Sequence, residues 1–234
     1  MRIGNLVRWA VALGLVGLSL ANASWIAPAP ESKMQLIAAK PAAGGCPDVE
    51  EVRKALIAGG GPVAIGDCPV RRGALEQLGR YAFVFAGGDP AALLETFKGL
   101  NRQFESRHAF IGSAEEVAAF RKAAPEGWAF TIAEARQCYA DYAIWGWLTI
   151  VPESCRGGTM LVPLDGKWKL AGWPKRFQAR MKAAGTRVIL TAPGDPADAI
   201  PGLASLDQIP EIPRDYSGYA WVDDIELIGR SIRR

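Results

Sequence analysis

A repeated strand-then-helix grammar predicts an α/β fold, and eight such units suggest a compact parallel (β/α)8 barrel of the TIM type with abbreviated helices. Three observations carry the expectation. Short apolar segments begin at residues 34, 62, 81, 108, 128, 148, 187 and 219. Most are followed within a few residues by the side chains that start a helix. The chain of 234 residues is half apolar, enough to bury one sizeable core, and neither a repeat of fixed period nor a second domain is visible. From pattern alone a doubly wound open sheet is the alternative.

Met34 to Ala38 is the first strand, and Asp48 with Glu51 three residues on supplies a reciprocal cap for the first-turn amides of the helix that follows. Val49, Val52 and Leu56 share one face of that helix, which Gly59 ends. Pro62 to Ile65 is the second strand. Tyr81 to Phe85 leads to Asp89-Pro90, a cap with proline at the first helical position. His108 to Ile111 leads to Ser113 with Glu116, and Trp128 to Phe130 leads to Thr131 with Glu134. A sixth strand is expected at Leu148 to Val151, with Met160 to Leu164 extending that region. Trp173, Phe177, Met181 and Ala184 fall on one helix face, closed by Gly185. Arg187 to Thr191 is the seventh strand, and Tyr219 to Val222, the eighth, leads to Asp223 with Glu226.

The N-terminus gives a compartment. Arg2 and Arg8 precede an apolar run from Trp9 to Leu20, and Ala21-Asn22-Ala23 supplies small residues before Ser24. This pattern reads as a secretory signal, residues 1–23, cleaved to leave Ser24 at the start of a periplasmic or secreted protein. A spanning helix is the competing reading, but the run falls short of about 20 residues. Residues 24–33 read as a Pro- and Ala-rich lead-in and 34–234 as the barrel domain. Loss of Arg2 and Arg8 lowers the net charge from +3 to +1. A nearly neutral surface does not offer the concentrated basic face that nucleic acid requires. Export makes the four cysteines disulfide candidates, and their spacings fit no zinc motif. Three pairings are possible, with free buried thiols as the further alternative. The expected strand order favours Cys46 with Cys68 and Cys138 with Cys155.

Two segments carry a family resemblance. Trp145-Gly-Trp-Leu-Thr-Ile-Val-Pro-Glu-Ser-Cys-Arg156 and Ala171-Gly-Trp-Pro174, with Arg176-Phe177, Arg180-Met181, Ala183 to Val188 and Tyr216 to Trp221, resemble the C-terminal half of a bacterial branch of the glycerophosphodiester phosphodiesterase family. The match is densest from about Phe110 onward. It implies a (β/α)8 barrel and places the chain in a phosphoric diester hydrolase superfamily of lipid metabolism. The family cleaves glycerol-linked phosphodiesters with paired histidines and an acidic cluster binding a divalent metal.

The N-terminal half departs from that pattern. Where the family has its first catalytic histidine and an arginine, this chain has Ala39 and Lys40. The second strand ends Ile65-Gly66-Asp67-Cys68, so one of two metal-binding acids remains, and Pro69 to Leu78 is too short for the segment bearing the second histidine. Phe83 to Gly88 lacks the further glutamate and lysine. The only histidine, His108, begins the fourth strand, away from the C-terminal strand ends where barrel catalysis occurs. Calcium or magnesium binding needs several converging oxygens, and diester cleavage needs a proton donor. Asp67 and Glu153 are the candidate acids for a rebuilt site. Lys40 and Arg156 suit a phosphate, and Trp173 and Trp221 suit the walls of a glycerol or sugar pocket.

Three readings follow. The leading one is an exported phosphodiesterase-like barrel without the usual catalytic set, which binds a glycerol- or sugar-phosphate or acts structurally. The second is a divergent phosphodiesterase using Asp67, Glu153 and Lys40 with Ca or Mg. The third is an envelope protein that binds a protein partner.

Overall fold

Successive strand residues alternate between two buried faces, as in a parallel sheet covered on both sides. The computed structural model describes residues 3–23, 33–38, 48–59, 61–65, 70–78, 81–100, 104–194, 196 and 199–232. Helix α1 (Ile3–Asn22) precedes β1 (Gln35–Ala38), α2 (Val49–Gly59), β2 (Val63–Ile65), α3 (Val70–Leu78), β3 (Phe83–Ala86) and α4 (Pro90–Gly99). Then come β4 (Ala109–Ile111), α5 (Ala114–Ala123), β5 (Trp128–Phe130), α6 (Ile132–Trp145), β6 (Thr159–Pro163), α7 (Lys175–Ala183), β7 (Arg187–Thr191), β8 (Tyr219–Val222) and α8 (Ile225–Ile232). A 3-10 turn, Leu206–Glu211, stands where a helix would follow β7.

All ladders are parallel, in the order β5-β4-β3-β2-β1-β8-β7-β6. Pairing of β1 with β8, from Gln35 with Tyr219 to Ala38 with Val222, bends the sheet round on itself. The result is a nearly closed (β/α)8 barrel. No ladder joins β5 to β6 among the described residues; there the Trp128 indole N–H donates to Thr159 Oγ1 at 2.8 Å.

Ile37, Ala64, Val84, Ala109, Ile111, Phe130, Leu161, Ile189 and Trp221 fill the interior. Their neighbours Leu36, Ile65, Phe85, Phe110, Val162, Leu190 and Val222 face outward, into a larger core beneath the helices. Strands buried on both faces are what a parallel barrel demands. The helix-start chemistry holds. Asp48 and Glu51 cap α2 reciprocally, Asp89 accepts from the Ala91 amide, and both Ser113/Glu116 and Thr131/Glu134 form complete capping boxes.

Two expectations are corrected. Leu148 to Val151 is not a strand: α6 runs on to Trp145, and 3-10 turns Gly146–Leu148 and Glu153–Cys155 flank a left-handed Thr149. Leu148 and Ile150 are exposed rather than buried, and Val151 is half-buried against the core. The sixth strand comes later, at Thr159–Pro163, where Met160, Leu161 and Val162 are buried on both faces. At the last helix the cap is Asp224, which accepts from the Leu227 amide, while Asp223 accepts from Gly202 N–H.

Candidate functional site

The C-terminal strand ends form the mouth of the barrel, where five of the described acids accept from backbone amides, Glu211 pairs with the buried Lys167 at 2.9 Å, and Asp165, two residues beyond β6, is exposed. Asp89, Glu116, Glu134, Asp223 and Asp224 each accept from a main-chain N–H. Glu134 also receives both Arg121 nitrogens, at 2.9 and 3.0 Å. Burial would raise its carboxyl, but the Arg121 hydrogen bonds and the Thr131 amide outweigh it and hold the group below the ordinary glutamate range. Among the described residues no group of three His, Cys, Asp or Glu side chains is placed to hold a metal ion.

Between α6 and the C-terminal ends of β6 and β7 the mouth holds a recess of about 270 Å³. Its walls include Leu161 and Pro163 of β6, Thr191 and Gly194 at the end of β7, and Arg136 and Tyr139 of α6. Arg136 Nη2 donates to the carbonyls of Pro196 and Ala199, joining α6 to the loop after β7. The Tyr139 hydroxyl donates to Gly166 O at 2.9 Å. Two further features line it: the backbone turn at Gly194, whose φ is 96°, and Thr191, whose hydroxyl donates to Ala192 O at 3.2 Å and so meets the recess as an acceptor only. Arg136 was not singled out by sequence, because an arginine one turn into a helix looks like any solvated charge.

The residues proposed from sequence do not converge. Lys40, Asp67, Cys46 and Cys68 lie outside the described residues. Glu153 and Arg156 were expected at the mouth but precede β6, which puts them at the barrel's N-terminal end, paired with each other at 3.3 Å. The misplaced sixth strand caused that error. Trp221 faces the barrel interior beside Ile37 rather than a pocket. Trp173 lies in the outer layer, stacked on Tyr216 with ring centroids 5.6 Å apart and packed on Phe177.

Cys138 and Cys155 do form a disulfide, with Cα atoms 4.7 Å apart. Cys138 lies in the middle of α6, and Cys155 lies at the N-terminal end of the barrel, where Thr186 Oγ1 donates to its carbonyl at 2.7 Å. The pairing is the expected one; its place is not the mouth.

His108 is structural. Its Nδ1 accepts from the Phe83 amide at 3.1 Å, and its ring sits among Phe83, Phe85, Phe97 and Phe104. The floor of the barrel is polar and aromatic. Arg187 lies over the Trp128 ring at 4.8 Å, and Trp128 packs on Tyr219 at 5.2 Å. Burial lowers the Arg187 pKa and raises that of Tyr219, and the attraction between the two groups offsets part of each shift. A cleft of about 520 Å³ follows the open seam from Arg156 and Gly158 to Glu134. Its charged groups are largely paired internally, Arg121 with Glu134 and Arg156 with Glu153.

Compared with known proteins, the chain matches no protein-family model and no curated sequence.

Proposed function

We propose that this chain is an exported, phosphodiesterase-like barrel that binds an anionic glycerol- or sugar-phosphate at its mouth without cleaving it. The observation that carries the reading is the chemistry of the C-terminal end. A guanidinium, a threonine hydroxyl and a glycine turn wall a recess there, while Asp89, Glu116, Glu134 and Asp224 at the same end are engaged as helix caps. Binding an anion needs a recess and a cation held in place. Cleaving a diester also needs a proton donor and clustered metal ligands. Glu153, one of the acids a rebuilt site would need, stands at the opposite end of the barrel. The family resemblance in the C-terminal half supports the ligand class, and the N-terminal apolar segment supports export.

The hydrolytic half of the reading is tested with glycerophosphocholine and bis(p-nitrophenyl) phosphate in the presence of calcium or magnesium. The protein is expected to show no turnover that Asp67→Ala removes. Turnover abolished by that substitution would establish the divergent enzyme instead.

A further inference from the structure

We propose that the turn after α6, with Arg176 and Arg180 of α7, is a docking surface for an anionic phospholipid bilayer, and that the end of α1 covers its cationic part until residues 1–23 are removed. This rests on the proposed cleavage before Ser24.

The first observation is the surface itself. Ile144, Trp145, Trp147, Leu148 and Ile150, five large apolar side chains within seven residues, are between 46% and 67% exposed. Isolated exposed apolar residues are ordinary, whereas a contiguous cluster marks an interaction site. The cluster is held firmly. Thr149 N–H donates to Gly146 O, Arg180 reaches the same carbonyl, and the Cys138–Cys155 bridge ties α6 to the segment that follows. Two indoles beside aliphatic side chains suit the boundary between lipid headgroups and acyl chains.

The second observation is what covers the adjoining cations. Arg180 donates to Ala21 O at 2.8 Å and to Asn22 Oδ1 at 3.0 Å, and Arg176 Nε donates to Ala23 O at 3.2 Å. Asn22 Nδ2 in turn donates to Trp147 O at 3.0 Å. Arg180 also donates to Tyr142 Oη, Gly146 O and Ala171 O, but the partners that α1 supplies all lie within residues 1–23. They are oxygens at the C-terminal, partially negative end of a helix, and they stand in for the oxygens of a lipid phosphate. Cleavage would leave two guanidinium groups, without carboxylate partners among the described residues, beside a tryptophan-rich shelf. Acids do lie nearby: Asp141 accepts from Ser154 and Gln137, and Glu153 pairs with Arg156. Among the described side chains, α1 contributes none to either core cluster.

The test uses residues 24–234 with vesicles of phosphatidylglycerol and phosphatidylcholine, or of phosphatidylcholine alone, read by co-sedimentation and by quenching of indole fluorescence with brominated acyl chains. The expected result is quenching and stronger binding to the anionic vesicles. Trp145→Ser with Trp147→Ser should weaken partitioning by roughly tenfold per indole. Arg176→Gln should remove roughly fivefold of the phosphatidylglycerol-dependent part only. Trp168→Ser, which alters an exposed tryptophan on a different segment, should change nothing. Absence of vesicle binding by the unsubstituted protein would overturn the proposal, as would equal losses from Trp168→Ser. A dimer in sedimentation that dissolves when Trp145 and Trp147 are replaced would assign the surface to a second copy of the chain. The N-terminal mass of the exported protein tests cleavage separately. A mature chain that retains residues 1–23 defeats the export reading, whereas vesicle binding by residues 24–234 is decided on its own.

Discussion

Replacing both Cys138 and Cys155 by alanine should cost this barrel about 3 kcal/mol. The two are 17 residues apart. In the chain-entropy account, closing a loop of that length removes about 10 cal/mol/K from the unfolded chain, or about 3 kcal/mol at 25 °C. Both side chains are fully buried, so loss of packing adds to the effect rather than offsetting it. For a chain of this size that corresponds to a fall in Tm of roughly 6–12 °C. Urea unfolding under oxidising conditions, original chain against double variant, is the assay. Cys46 and Cys68 are present in both proteins, so their state cancels. The m value should rise in the variant, because its unfolded state is no longer tethered and exposes more surface. A loss below about 1 kcal/mol with unchanged m, or peptide mapping that finds Cys138 and Cys155 as free thiols, would refute the reasoning.

Three other expectations concern the barrel wall. Trp128→Phe leaves Thr159 Oγ1 without its donor at the open seam and should cost about 1–3 kcal/mol; a cycle with Thr159→Val should show coupling of at least about 0.5 kcal/mol in urea melts, and simple additivity would contradict the bridge. Phe110→Ala, which empties the outer core against Phe120, should cost about 3–5 kcal/mol by the same measurement. Because the Glu134 carboxyl is held below its ordinary range, its ionised form stabilises the fold above the unfolded-state value of about 4.3, and that contribution is lost as pH falls through the folded-state value. The Tm gap between the original chain and Glu134→Gln should therefore be present at pH 7 and close on acidification. A gap that stays constant or widens as pH falls would contradict this.

The fold was legible wherever local chemistry and tertiary need coincide. Thr131 with Glu134 announces a helix because those two side chains satisfy the amides of one turn, and the same holds for Ser113 with Glu116 and Asp48 with Glu51. The failure at Leu148 to Val151 has a physical cause. A short apolar run looks alike whether it is a buried strand or an exposed turn, and only Gly146 and Pro152 hinted that regular structure breaks there. That one error carried Glu153 and Arg156 to the wrong end of the barrel. Trp221 was misread for a related reason: strand alternation says that a side chain is buried, but not that the barrel interior is filled rather than open. Arg136 could not be found at all, since its value lies in meeting Thr191 and Gly194 across more than fifty residues.

The central claim is that the mouth binds a small phosphate ligand through Arg136. Calorimetric titration of residues 24–234 with glycerol 3-phosphate tests it most directly, using Arg136→Ala and Arg156→Ala in parallel. A charge-assisted hydrogen bond contributes about 1.5–3 kcal/mol, so Arg136→Ala is expected to weaken binding roughly ten- to a hundredfold. Arg156→Ala, at the opposite end of the barrel, is expected to leave it unchanged. No heat of binding from glycerol 3-phosphate or related sugar phosphates, or equal losses from the two substitutions, would contradict the account.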